Sequence, residues 1–166
     1  MCGTMSRLTW LIGPPGAGKS TFALRRRTGA RVVELNEMLS PLVDDLRLRK
    51  GVLSANGCLV RAVRHVELHP EHAMLPDLLV VAGLVPEEAL FPLTPSEDVL
   101  LLLPERTRWD RQLRARPVGT GARAQYDDYD YAAHWYTRFE DWIARGLPVQ
   151  RIDAPFEEAL IGKVAQ

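Results

Sequence analysis

Nine consecutive residues constrain this chain more than any others: Gly13-Pro14-Pro15-Gly16-Ala17-Gly18-Lys19-Ser20-Thr21. They fit the pattern G-x-x-x-x-G-K-[ST]. A short apolar run, Arg7 to Ile12, precedes them and reads as a buried strand. The stretch from Lys19 to Thr28 follows and reads as a helix that stops at Gly29. Glycines in such a loop let the backbone curl with its N–H groups turned inward, which makes a concave nest for an anion. The helix that follows adds its positive end. Lys19 is placed to supply a mobile cation to the β- and γ-phosphates of a nucleotide, and Ser20 a hydroxyl to Mg²⁺. A turn that only joined a strand to a helix would need neither residue.

The remainder of the chain reads as alternating strands and helices punctuated by Pro and Gly. Ala30 to Asn36 is a second strand. Ser40 is a good N-cap with Pro41 at the first helical position, and that helix runs to about Lys50 before Gly51. A further helix covers Asn56 to Glu67, with Leu59, Val60, Val63 and Val66 on one face. Asp77 to Gly83 and Asp98 to Leu103 are continuous apolar runs. Runs without alternation suit strands covered on both faces, as in a parallel sheet. Pro104 opens an arginine-rich helix to about Arg116, and a polar, Gly-rich loop runs from Pro117 to Asp128. A long helix spans Asp128 to Arg145, a fifth strand Pro148 to Ile152, and a closing helix Phe156 to Val164. Five strands interleaved with helices predict a three-layer α/β fold. At 166 residues, the expectation is one domain across 1–166.

Composition narrows the function classes. Lys and Arg number 21 and Asp and Glu number 21, so the formal net charge is zero. A broad, sequence-indifferent nucleic-acid binder would be strongly basic. Cys2 and Cys58 are too few and too irregularly placed for a disulfide framework or a zinc site, so a reducing, cytoplasmic setting is expected. No run approaches 18 apolar residues, and the run before Gly13 is too short for a signal peptide. The sequence leaves the oligomeric state open.

On Gly13 to Thr21 the chain resembles the small P-loop kinases: the adenylate, shikimate and gluconate kinases and the polynucleotide 5′-hydroxyl kinases. The specific match is the Walker A loop; a looser match in element order covers nearly the whole chain. The resemblance implies a five-stranded parallel sheet in the order 2-3-1-4-5 and a small arginine-bearing lid, here about residues 104–128. It implies ATP and Mg²⁺ as cofactors. It also implies transfer of the γ-phosphoryl group to a hydroxyl of a small-molecule acceptor. Gly13, Pro14, Pro15, Gly16, Ala17, Gly18, Lys19, Ser20 and Thr21 then hold the nucleotide, with Ser20 toward the metal. The lid of such kinases closes arginines over the phosphates, a role that falls here to Arg111, Arg114 and Arg116, drawn from Arg106, Arg108, Arg111, Arg114, Arg116 and Arg123.

The chain departs from the family pattern at two places. An Asp is common at or just after the second strand, and Asn36 stands there. Asn takes no proton at neutral pH. Glu37 is the candidate base, with Glu34 as a substitute and Asp44 and Asp45 on the next helix as further options. The third strand, Leu78 to Gly83, ends without the acidic residue that holds Mg²⁺ through water; Asp77 lies at its opposite end, and Glu87 and Glu88 follow Pro86.

Other patterns carry less chemistry. His65, His69 and His72 are spaced at i, i+4 and i+7, but Pro70 interrupts them. Ala132, Trp135, Phe139 and Trp142 have the helical spacing of a packed face, and Trp10 reads as core. Tyr126 to Tyr131 mixes acids and tyrosines at a helix start, where negative charge is favoured. No N-K-x-D motif is present, nor a D-x-x-G after the third strand, which disfavours a GTPase. Three readings stay open: a small-molecule kinase, a polynucleotide 5′-hydroxyl kinase using a local basic funnel, and a nucleotide-binding regulatory switch with weakened chemistry.

Overall fold

In the computed structural model, residues 8–25, 31–35, 52–116 and 128–153 are described. The strands are β1 (Leu8–Ile12), β2 (Arg31–Glu34), β3 (Leu78–Gly83), β4 (Glu97–Leu102) and β5 (Gln150–Ile152). The helices among these residues are α1 (Lys19–Arg25), α2 (Val52–Glu67), α3 (Glu87–Leu90), α4 (Arg106–Ala115) and α5 (Tyr129–Ala144). A short 3₁₀ turn, Pro70–His72, joins α2 to β3.

The strands form one parallel sheet in the order β2-β3-β1-β4-β5, as the family resemblance implies. β1 is central and pairs with β3 on one side and β4 on the other. All six residues of β3 are buried, which accounts for its unbroken apolar sequence. Alternate residues of β1 feed two cores. Leu8, Trp10 and Ile12 join the larger one, with Val60 of α2, Trp109 and Leu113 of α4, and the aromatic face of α5. Leu11 joins the smaller one with Phe22 and Ala23 of α1. The sheet therefore lies between helical layers.

Local rules explain the element ends. Asp128 caps α5, its carboxylate accepting from Tyr131 N at 3.1 Å. Glu105 caps α4, accepting from Thr107 N and Arg108 N. The arginine helix thus starts at Arg106, because Glu105 rather than Pro104 supplies the cap. α2 begins four residues ahead of the expected Asn56, since Asn56 and Gly57 lie inside the helix. Gly57 has a packing reason to be there: a Cβ would lie 3.3 Å from Ala89 Cβ, so glycine lets α2 approach α3 closely. The helices expected over Ser40 to Lys50 and Phe156 to Val164 lie outside the described residues.

One buried polar cluster ties the sheet to α2 at the end away from the glycine loop. Glu97 opens β4 and is 4% exposed. Its Oε1 accepts from Trp10 Nε1 at 2.9 Å and Arg64 Nε at 2.7 Å, and its Oε2 from Thr94 N at 2.7 Å. Arg64 also donates to the carbonyls of Ala89 and Leu90. Burial disfavours the ionised carboxyl, but the bonds from Thr94, Arg64 and Trp10 outweigh it and hold the group below its ordinary value. Its contribution to stability is therefore full above the ordinary Glu range and fades as pH falls through the lowered value. Glu97→Ala would strand Arg64 and Trp10, and should cost about 3–5 kcal/mol of unfolding free energy in urea titration. A loss below about 1 kcal/mol would show that Arg64 finds solvent instead.

Candidate active site

The glycine loop leaves β1 at the carboxyl edge of the sheet. Gly13 is a close-approach glycine, since a Cβ there would lie 2.5 Å from the Leu102 carbonyl oxygen at the end of β4. Gly16 has φ 79° and Gly18 φ 91°, both in the left-handed region that favours glycine. A Cβ on Gly16 would also meet Leu113 of α4, 3.0 Å from its Cδ1. The pattern's glycines are thus required by backbone shape and by two neighbouring elements.

The loop's polar groups divide cleanly. Of the loop's carbonyls, those of Gly13, Pro14 and Pro15 are occupied: Lys19 Nζ donates to Gly13 O and Pro14 O at 2.9 Å each, Ala17 N donates to Pro14 O, and Trp109 Nε1 donates to Pro15 O at 2.8 Å. Its donors are not: among the described residues, the N–H groups of Gly16, Gly18, Lys19 and Ser20 make no hydrogen bond. Clustered free donors with satisfied acceptors are what an anion nest requires. Ser20 and Thr21 are exposed on the first turn of α1.

Lys19 is the electrostatic centre. Its amine is lowered to about 7, first by burial and then by the nearby charge of Arg116, with Glu34 pulling the other way. Glu34 is the last residue of β2 and pairs in register with Val81 of β3. β3 separates it from β1 and ends in Gly83, which offers no side chain at that edge. Lys19, Arg116 and Glu34 are thus within electrostatic reach of one another at the carboxyl edge, the usual place for ligands in parallel sheets.

A polyphosphate would raise the Lys19 amine by adding negative charge. Above pH 7, binding must therefore take up a proton, and below it the amine is already charged. Calorimetry of ATP binding near pH 8 in buffers of different ionisation enthalpy should show uptake of up to about one proton. Affinity should weaken as pH rises from 7. Heats independent of buffer would remove Lys19 from the phosphate contact.

The other expected site residues are placed as follows. Arg111 lies on the exposed face of α4 and makes no ion pair among the described residues. Arg114 is held by Asp110, Nε to Oδ2 at 3.0 Å, and its guanidinium stacks 4.5 Å over Tyr129. Arg106 pairs with Glu140 and lies over Tyr136, and Arg108 donates to Asp153 O. Glu37, Asn36, Asp44, Asp45 and Arg123 lie outside the described residues. Glu87, a possible metal-side acid after β3, forks with Arg145. No group of three His, Cys, Asp or Glu residues that could hold a metal occurs among the described residues. The features the sequence did not bring forward are Trp109, hidden in an arginine-rich helix, and Asn56. Asn56 is 2% exposed, donates to Leu84 O just past β3, and keeps its Oδ1 unpaired. The i, i+4 pair Trp109 and Leu113 was the available signal for the first.

Sheet order and loop together define a P-loop fold of the small-kinase type. No protein-family model and no curated protein matches the chain. Among solved structures, an unliganded sugar kinase from Janibacter sp. HTCC2649 superposes with a TM-score of 0.55 at 15% identity, over 96% of this chain and 93% of its own. Deoxyadenosine kinase from M. mycoides, solved with dCMP and a flexible dCDP, gives 0.53 at 15% identity, over 95% and 98%. At that identity the likeness is one of fold. No described helix is long and apolar enough to cross a membrane.

Proposed function

We propose that this chain is an ATP-dependent phosphotransferase that moves the γ-phosphoryl group of ATP to a hydroxyl of a small-molecule acceptor. The observation that carries this reading is the donor-lined glycine loop around Lys19, an amine that feels the charge of Glu34 at the end of β2. The superposing small-molecule kinases support it through the shared fold. The loop Gly13 to Thr21 binds the phosphates, through the backbone N–H groups of Gly16, Gly18, Lys19 and Ser20. Lys19 and Arg116 oppose the charge that spreads over the phosphoryl oxygens in transfer. Arg111 lies on the side of α4 away from Trp109 and Leu113 and would have to be brought round to join them, whereas Arg114 would first have to leave Asp110 and Tyr129.

A carboxylate at or after β2, Glu37 as expected or Glu34 among the described residues, accepts the proton of the attacking hydroxyl. Mg²⁺ fits the exposed hydroxyl of Ser20 with phosphate oxygens and water, since this ion keeps most of its waters and needs few protein ligands. When bound it would supply positive charge that offsets the charge of the phosphate oxygens. The absence of an acid at the end of β3 is compatible with that arrangement. It also favours a second reading, a nucleotide-binding regulator with weakened chemistry.

Incubation with ATP, Mg²⁺ and a panel of hydroxyl acceptors, from nucleosides and sugars to oligonucleotide 5′ ends, separates the readings. The kinase reading expects acceptor-dependent ADP release with phosphate recovered on one small acceptor. Transfer only to oligonucleotide ends would make it a polynucleotide kinase. Tight nucleotide binding with no transfer to any acceptor would favour the regulator.

A further inference from the structure

The loop is held from the outside by a residue that no phosphate touches. Trp109 is fully buried on α4, 94 residues along the chain from its partner, and its indole N–H donates to Pro15 O at 2.8 Å. Tyr136 packs against the same ring at a centroid distance of 4.7 Å, and Leu113, one turn on, lies against Gly16. The indole therefore cannot swing away without opening the core.

The peptide between Pro15 and Gly16 is planar, with its C=O and N–H pointing opposite ways across a trans bond. Fixing the Pro15 carbonyl toward α4 fixes the Gly16 N–H away from α4. That N–H has no partner among the described residues. The Pro15 carbonyl is also the loop oxygen that Lys19 does not reach, since Nζ takes Gly13 O and Pro14 O. Without the indole, this buried carbonyl would lose its partner at a glycine with φ 79°, where a flip of the peptide is sterically easy.

We propose that Trp109 is a positioning residue for phosphate recognition: its indole N–H holds the Pro15 carbonyl outward and so aims the Gly16 N–H at the bound phosphate. This rests on the phosphate-cradle reading of the loop, not on the identity of the acceptor. It also makes α4 part of the cradle: the helix that carries Arg111 and is followed by Arg116 is registered on the loop through Trp109 and Leu113.

The test is Trp109→Phe, which keeps an aromatic ring but removes the donor. Inorganic triphosphate serves as the probe, with affinity measured by calorimetry well below the unfolding temperature of either protein. The expected result is binding about 3–10-fold weaker than wild type, the loss of one hydrogen bond's worth of alignment. In ¹H–¹⁵N spectra, the Gly16 amide should move strongly on titration in wild type and much less in the variant, a difference that general loosening of the core would not confine to Gly16. Equal affinity and an equal Gly16 shift in a folded variant would overturn the proposal. Should Trp109→Phe fail to fold, the wild-type Trp109 indole N–H resonance is the second readout. It should shift when triphosphate binds, and an unmoved resonance overturns the coupling. Wild type that binds no triphosphate at all would instead sink the cradle reading, and this inference with it.

Discussion

Lys19→Ala should weaken ATP binding by about 10–100-fold while leaving the fold in place. A charged hydrogen bond contributes about 1.5–3 kcal/mol, and Lys19 is the loop's own cation, held by the Gly13 and Pro14 carbonyls. The loop should survive its loss. Pro14 O keeps the bond from Ala17 N, Pro15 O keeps Trp109, and the positive φ angles at Gly16 and Gly18 do not depend on the lysine. The variant should also lose the proton uptake expected near pH 8, because no other group at the loop has its titration moved to about 7. Calorimetry measures both quantities in one series, with circular dichroism as the check on folding. Unchanged affinity would refute the phosphate assignment outright.

Glu34→Gln should reduce phosphoryl transfer by a factor of roughly 10²–10⁴ while changing ATP affinity little. The substitution keeps the shape and hydrogen-bonding length of the side chain and removes its ability to accept a proton. It also removes a negative charge that raises the Lys19 amine, so that amine should fall further in the free protein. ATP affinity should accordingly weaken slightly at neutral pH, in the direction opposite to simple relief of repulsion between Glu34 and phosphate. Single-turnover measurement at saturating ATP separates the chemical step from binding. If transfer survives in Glu34→Gln and fails in Glu37→Gln, the base belongs to the residue after the strand.

Much of this architecture is legible in the order of residues. The unbroken apolar runs at Leu78 to Gly83 and Val99 to Leu102 announce strands buried on both faces, because only a parallel sheet between helices offers such burial. The loop is legible because its glycines serve local backbone shape, which depends on near neighbours. The base is less so. Glu34 and Glu37 are equivalent carboxylates on paper; Glu34 has an electrostatic relation to Lys19 that runs across an intervening strand, and Glu37 lies outside the described residues. Trp109 was unreadable as a loop partner because its meaning lies in one bond to Pro15, far away in sequence, while its surroundings, Arg108, Asp110 and Arg111, read as a solvated face. Asn56 is similar: as a helix start it would be ordinary, but inside α2 and buried it is a polar group with work to do beside β3.

The self-pairing of α4 has a consequence for ionic strength. Arg106 is matched by Glu140, Arg114 by Asp110, and Arg108 is turned to the Asp153 carbonyl. A polyanion approaching this helix therefore exchanges few of its own counterions for protein charge. Counterion release is what makes nucleic-acid affinity fall steeply with added salt, in proportion to the phosphates neutralised. On α4, Arg111 is the arginine whose side chain has neither an ion pair nor a hydrogen bond among the described residues. Three arginines of this segment therefore enter any encounter with a polyanion already engaged within the protein.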